Sequence, residues 1–278
     1  MTRILSLVIA KMKIAILTDF RDWNEAYSLT HVVDSQGRML ERYGHDVRLL
    51  VSDAVVDTNP SEAVRPLIPS YQQREHVRLS DLSQEHRAVA ERTAAVLVEQ
   101  LRDVDIAFTH DWIFSQWKLP MAEALRLCAD ETRHVQFYHW LHSTPYIRCD
   151  WWDMARYGDN HHLVYLNESG YVHAAQQFRV SSDDVSVIPN AVDPRILYEY
   201  RPETWEIIDK LPGLMSADVV QVYPCASDRF SDKGVEQLTY LFKSIKELGK
   251  SVCCLVVDGH TGTRPREDVF SYLNTGRR

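Results

Sequence analysis

The chain lacks any apolar run approaching the ~20 residues that a membrane-crossing helix requires, so no segment reads as a span. It also lacks a basic excess. The 31 Lys and Arg residues against 39 Asp and Glu leave a formal charge of −8, which argues against general nucleic-acid binding, whose footprint is basic. An anionic small ligand is still allowed, because a few local cations suffice to hold one. Metal-type cysteine spacing is missing too. The five cysteines (Cys128, Cys149, Cys225, Cys253 and Cys254) are an odd number with no zinc-like pattern. Cys253 and Cys254 lie together in an apolar run, where small buried residues are expected, and a reducing cytoplasm fits such usage. Internal repeats and low-complexity tracts are absent. The amino-terminal stretch M-T-R-I-L-S-L-V-I-A-K has a short apolar core with no cleavage site after it. Met12 directly precedes the first good strand, so residues 1–11 read as a dispensable extension.

What is present is an ordinary globular mixture, 45% apolar and 25% charged over 278 residues, long enough for two domains. The pattern alternates apolar strands with amphipathic helices. Lys13 to Thr18 reads as a first strand buried on both faces. The helix after it carries Leu29, Val32, Val33, Leu40 and Tyr43 on one stripe and stops at Gly44. Asp46 to Val51 is a second strand. The weakly periodic segment from Ser52 to Leu82 is long enough to cover or line something. Gln84 to Arg102 is helical, with Val89, Val96, Leu97 and Leu101 inward. Strands follow at Asp105–Thr109, Arg133–His139 and Leu163–Leu166, with helices through Ala122–Leu127 and Val172–Phe178.

Val185 to Pro194 (V-S-V-I-P-N-A-V-D-P) begins as a β-branched strand, is stopped by Pro189 and Asn190, and leaves extended through Asp193-Pro194. A bare strand-to-turn junction would look the same. Beyond it, however, the alternation begins again: a helix over Pro202–Asp209, a strand over Asp218–Tyr223, and a helical stripe of Val235, Leu238, Leu241, Phe242, Ile245 and Leu248. A partner strand over Ser251–Val257 completes the set. The stretch therefore reads as a junction between two α/β domains, residues 1–194 and 195–278. The class is α/β, a doubly wound Rossmann-like domain followed by an incomplete second unit of the same kind.

Ligands of doubly wound sheets bind beyond the carboxyl ends of the strands. Arg229, Lys233 and Gly234 occupy such a position in D-R-F-S-D-K-G, where Ser231 or Asp232 can cap the next helix. Two cations at a helix start suit a diphosphate and the charge that grows as it departs. A solvated polar loop with an ordinary cap is the bland alternative, and the commoner one. His139 and His142 end an apolar strand in H-W-L-H-S-T-P, and His110-Asp111 ends another. Either could face a sugar hydroxyl or an acceptor, although a hydrogen-bonded structural imidazole is the usual fate of a single histidine. Asp19 and Trp23 belong to the polar loop after the first strand. Trp23, Trp151 and Trp152 could stack on sugar faces or simply pack. A metal set of His139, His142, His161 and His162 lacks helical ligand spacing.

The order of these pieces carries a resemblance: K-I-A-I-L-T, R-M-L-E-R-Y-G-H-D-V-R-L-L, the His110-Asp111 strand end, H-W-L-H-S, L-N-E-S-G-Y-V, V-S-V-I-P-N-A-V-D-P and D-R-F-S-D-K-G-V-E-Q-L. Together they resemble family 4 glycosyltransferases, covering nearly the whole chain. The resemblance implies a GT-B fold and retaining transfer from a nucleotide-sugar donor to an acceptor, with no metal and no cofactor beyond the donor substrate. It implies that Arg229 and Lys233, with Gly234 and Asn190 nearby, hold the donor. It further implies that His142, rather than His139, contacts the transferred sugar. Asp19, Trp23, His110, Asp111 and His139 are then the acceptor-side candidates.

The chain departs from the family pattern in having R-D-W-N-E where Gly-Gly is common, Asn190-Ala191 where Asn-Gly is usual, and Arg229 closer to Lys233 than is commonest. The family's paired donor-site glutamates are absent. By ordinary domain size roughly half of the second domain is not in this sequence. A competing reading therefore stands beside the enzyme: a catalytically incomplete remnant or interaction module that needs a homodimer or a complementing polypeptide. A GT-B epimerase is a third.

Overall fold

The computed structural model describes residues 10–21, 23, 27–55, 64–143, 149–192, 200–211, 213–224 and 233–257. The chain divides into two compact units at Asp193/Pro194. In the first, the elements run β1 (Lys13–Leu17), α1 (Ser28–Arg42), β2 (Asp46–Ser52), β3 (Val64–Ile68), α2 (Gln84–Gln100) and β4 (Ile106–His110). They continue with α3 (Leu119–Leu127), β5 (Gln136–Leu141), β6 (His161–Tyr165), α4 (Tyr171–Phe178) and β7 (Val185–Val187). The strands form one seven-stranded sheet in the order β3-β2-β1-β4-β5-β6-β7, every pairing parallel. This is the Rossmann-like order, and the direction of winding reverses between β1 and β4.

Alternation along the strands builds two cores. Ala15, Leu17, Ala107, Phe137, Leu141 and Leu163 face one side, where Val89 and Leu97 of α2, Leu125 of α3 and Phe178 of α4 cover them. Ile14, Ile16, Phe108, Trp140 and Val164 face the other, with Leu29 and Val33 of α1. Trp151 and Trp152 belong to the first core, Trp152 stacking on Phe178 at 6.1 Å, so they pack rather than offer a sugar platform.

Three local expectations are corrected. β3 falls inside the segment read as irregular, and V-R-P-L-I hides it because Pro66 removes a ladder donor, which an edge strand tolerates. β5 starts three residues later than expected. Arg133 and His134 sit in a turn that is held by Asn160, whose amide donates to the carbonyls of Thr132 and Val135. Tyr43 lies past the end of α1 and is exposed, and the left-handed Gly44 (φ 88°) after it turns the chain.

The second unit contains α5 (Pro202–Lys210), β8 (Val219–Pro224), α6 (Val235–Glu247) and β9 (Val252–Val257), with β8 and β9 parallel. Asp218 clips the strand starts together by accepting from Lys250 and from the backbone and hydroxyl of Ser251. Burial here is shallow. Val235 is sealed, whereas Val222 is 52% exposed and Leu241 54%, and Leu248 of the expected inward stripe reaches 79%. Cys254 is exposed and Cys253 only half-buried, contrary to the expectation of sealed small residues. Among the described residues of this unit, the two strands and two helices do not by themselves enclose a core.

The first core also holds a polar thread. His139 Nδ1 lies 2.7 Å from Thr109 Oγ1, and His139 Nε2 lies 2.9 Å from His161 Nδ1, with Phe137 stacked on His161. Burial drives the His139 pKa well below its ordinary value and lowers that of His161 to about 3, each helped by neighbouring imidazoles. Both folded values lie below the unfolded value of about 6.5, so below that pH the unfolded chain binds protons that the native state refuses. Stability is thus full above pH 6.5 and is lost as pH falls toward 3. The urea midpoint, followed by tryptophan fluorescence, should decline over this window. In His161→Phe the decline should be shallower.

Candidate functional site

The crevice that a reversed winding opens between β1 and β4 is where the topology places a ligand. Asp19 follows β1, and its side chain is nearly sealed (6% exposed) against Lys118 Nζ at 2.7 Å. Lys118 comes from a single 3-10 turn between β4 and α3. The Tyr71 hydroxyl donates to the Trp117 carbonyl at 3.1 Å and lies 3.5 Å from Asp19, while Arg21 donates to the Tyr71 carbonyl. Burial, with the Asp19 carboxylate, raises the Tyr71 phenol pKa, so it stays protonated. The segment after β3 therefore does line something: Tyr71, and His76 through the Gln116 carbonyl, tie it to the turn that carries Lys118.

One strand over, Asp111 adopts a left-handed backbone (φ 60°), a conformation Asp tolerates better than most residues. Its amide donates to the Trp140 carbonyl, and its Oδ1 accepts the backbone N–H of His142 at 2.7 Å. The turn therefore locks the end of β4 to the end of β5. Burial raises the Asp111 pKa to about 6, opposed by the Lys118 charge and the His142 amide. His110 and His142 stack 5.1 Å apart at 22°, and His110 Nδ1 lies 2.8 Å from His142 Nε2. Nε2 of His110 lies 3.1 Å from Gln36 Oε1 on α1. Burial, with Lys118 behind it, lowers the His142 pKa to about 4, so the ring is neutral at physiological pH yet half-open.

The candidates are thus sorted by parity. His110 and His142 continue the face that α1 covers; His139 lies on the opposite face, 1% exposed, with both ring nitrogens engaged. His139 is corrected from an acceptor-side candidate to a buried core imidazole, because an odd offset along β5 turns it away from His142. Trp23 is 9% exposed and packs edge-on against Phe20 at 6.3 Å, inside the core instead of offering a free face. His162 meets Gln136, so His139, His142, His161 and His162 are not gathered into one set. Asn190 is half-buried, and its Oδ1 is sealed with no hydrogen-bond partner among the described residues. Lys233 is exposed after β8, with its carbonyl accepting from the Tyr223 hydroxyl; Gly234, in a left-handed conformation (φ 76°), caps α6. Arg229, Ser231 and Asp232 lie outside the described residues.

Gln36, Lys118 and Tyr71 escaped the sequence reading. Gln36 stands on the Leu29–Val33–Leu40 stripe of α1, and a polar residue at that spacing was the available signal. Lys118 belongs to a turn with no periodicity and gave none.

No protein-family model matches the chain, and no curated protein matches it. Solved structures do. A glycosyltransferase from Rickettsia africae ESF-5 aligns at a TM-score of 0.60 with 13% identity, over 96% of this chain and 65% of that one. WaaG, a glycosyltransferase involved in lipopolysaccharide biosynthesis, aligns at 0.51 with 15% identity, over 94% and 66%. The catalytic domain of starch synthase IV from Arabidopsis thaliana, bound to ADP and acarbose, aligns at 0.50 with 13% identity, over 89% and 69%. The chain has the Rossmann-like GT-B fold of these glycosyltransferases and spans about two thirds of the length of each.

The sealed pair of Asp19 and Lys118 gives a direct test of the site's electrostatics. Lys118→Met leaves a buried carboxylate without its cation and should cost about 3–5 kcal/mol in urea unfolding. Adding Asp19→Asn should recover part of the loss. Additive effects in the double variant would show that the two charges do not interact.

Proposed function

We propose that this chain acts in the transfer of a sugar from a nucleotide-sugar donor to an acceptor, with retention of the anomeric configuration. Residues 1–194 form the acceptor-side domain, and residues 195–278 form the first part of the donor-binding one. The observation that supports this most is His142: a neutral, half-open imidazole at the carboxyl end of β5, held by Asp111 at the switch point of a GT-B-type sheet. In this reading His142 meets the transferred sugar beside the scissile bond. Asp19 and Asp111, with His110 behind them, shape the acceptor side.

Departure of a nucleoside diphosphate develops negative charge, and the reading assigns its stabilisation to Arg229 and Lys233 rather than to a metal. Lys233 stands where β8 delivers the chain to the start of α6, beside amides that favour an anion. Gly234 lets the backbone turn there, and Asn190 belongs to the donor side. Cys128, Cys149, Cys253 and Cys254 are free thiols, in keeping with a cytoplasmic location. No helix among the described residues is long and apolar enough to cross a membrane.

The shallow second unit favours one further reading. Val220, Val222 and Val257 leave apolar sheet surface open, as expected if a complementing polypeptide or a second copy completes the donor side. Light scattering after size exclusion, with limited proteolysis near residues 194–202, tests this: a mass above the monomer supports a second copy, and a monodisperse monomer whose second unit resists protease as well as the first removes both versions.

Incubation with UDP- and ADP-sugars, followed by NMR of the released or transferred sugar, tests the activity and its stereochemistry. Calorimetry with the nucleoside diphosphates tests the donor site. Lys233→Ala should weaken binding by about 1.5–3 kcal/mol, the range for a charged hydrogen bond. Equal affinities would remove the phosphate role of Lys233.

A further inference from the structure

The geometry points to a positioning relay: Gln36 and His110 fix the tautomer of His142, so that His142 Nδ1 presents a lone pair, not an N–H, to whatever binds in the crevice. The relay begins at its buried end. Gln36 is 5% exposed, and its Oε1, which can only accept, lies 3.1 Å from His110 Nε2. The hydrogen of His110 therefore sits on Nε2. His110 is wholly buried and neutral, so it carries one N–H and its Nδ1 is an acceptor. That Nδ1 lies 2.8 Å from His142 Nε2, which must then donate. The single N–H of neutral His142 is consumed, and Nδ1 is left with its lone pair.

The ring is also fixed in orientation. It stacks on His110, and its own backbone N–H is held by Asp111 Oδ1. Among the described residues no side chain or carbonyl bonds to His142 Nδ1, and the residue is half-open. A fixed lone pair in a crevice selects a hydroxyl donor over a carbonyl or a carboxylate. Resting on the sugar-transfer reading, the relay deepens it: His142 holds the sugar by accepting from one of its hydroxyls and does not act as an acid. Gln36 and His110 act through His142 and touch no ligand.

Long-range proton–nitrogen correlation spectra of protein labelled with nitrogen-15 in its 12 histidines report the tautomer directly. The His142 signals are assigned by their loss in His142→Gln. The expected result near pH 7.5 is a single Nε2–H form of His142 in the parent chain. In Gln36→Met, which keeps the shape and removes the acceptor oxygen, both forms should appear. Gln36→Ala serves the same purpose should the methionine variant misfold, and unchanged His139 and His161 signals show that the fold is intact. An Nδ1–H form of His142 in the parent overturns the relay, as does a pure Nε2–H form in both Gln36 variants. Sugar turnover is a separate reading. Where the parent turns over donor, Gln36→Met should lower kcat by about tenfold with little change in KM, the scale of one lost hydrogen bond. A parent without turnover would count against sugar transfer while leaving the tautomer result standing.

Discussion

Two consecutive residues of β4, Thr109 and His110, leave the strand toward opposite faces, and the two sets of imidazoles follow from that alternation. The parallel register pairs Thr109 with His139 and His110 with Trp140. Thr109, His139 and His161 therefore meet under one face, sealed among Phe137 and Tyr157. His110 and His142 meet over the other, beneath α1. Both sets are kept neutral by burial, with opposite consequences. The lower pair is closed and titrates only through unfolding; the upper pair ends in a half-open ring.

Charge is arranged around the upper pair with comparable economy. Lys118 neutralises Asp19 inside the protein and so places a cation near His142 and Asp111. The cation opposes protonation of His142 and partly offsets the burial that lifts the Asp111 pKa. The crevice consequently holds a neutral imidazole beside a carboxyl group that titrates near pH 6. This is a setting in which hydroxyl groups are held by directed hydrogen bonds more than by net charge.

Much of this fold was legible because it depends on period. The run K-I-A-I-L-T reads as a doubly buried strand and D-I-A-F-T as another strand, and they are neighbours in the middle of the sheet. The opposite facing of His139 and His142 also follows from counting residues. Less was legible where local pattern is weak. Pro66 disguised an edge strand whose pairing comes from β2 alone. The α6 stripe looked like a core helix, yet Leu241 and Leu248 are exposed, because a helix stripe says nothing of whether its partner surface is present. At the site, His142 and Asp111 stood out as polar residues at strand ends. Lys118 and Tyr71 arrive from irregular segments, where only the tertiary structure decides what touches Asp19.

The central claim is that the ligand crevice lies at the carboxyl ends of β1, β4 and β5, with His142 as its open imidazole. Diethyl pyrocarbonate, which acylates an accessible unprotonated imidazole nitrogen, tests this when the sites are read by mass spectrometry. His142 should be modified at neutral pH while His139 and His161 are spared, and a bound nucleotide-sugar should protect His142. Modification of His139 ahead of His142, or a His142 signal indifferent to millimolar nucleotide-sugar, would contradict the account.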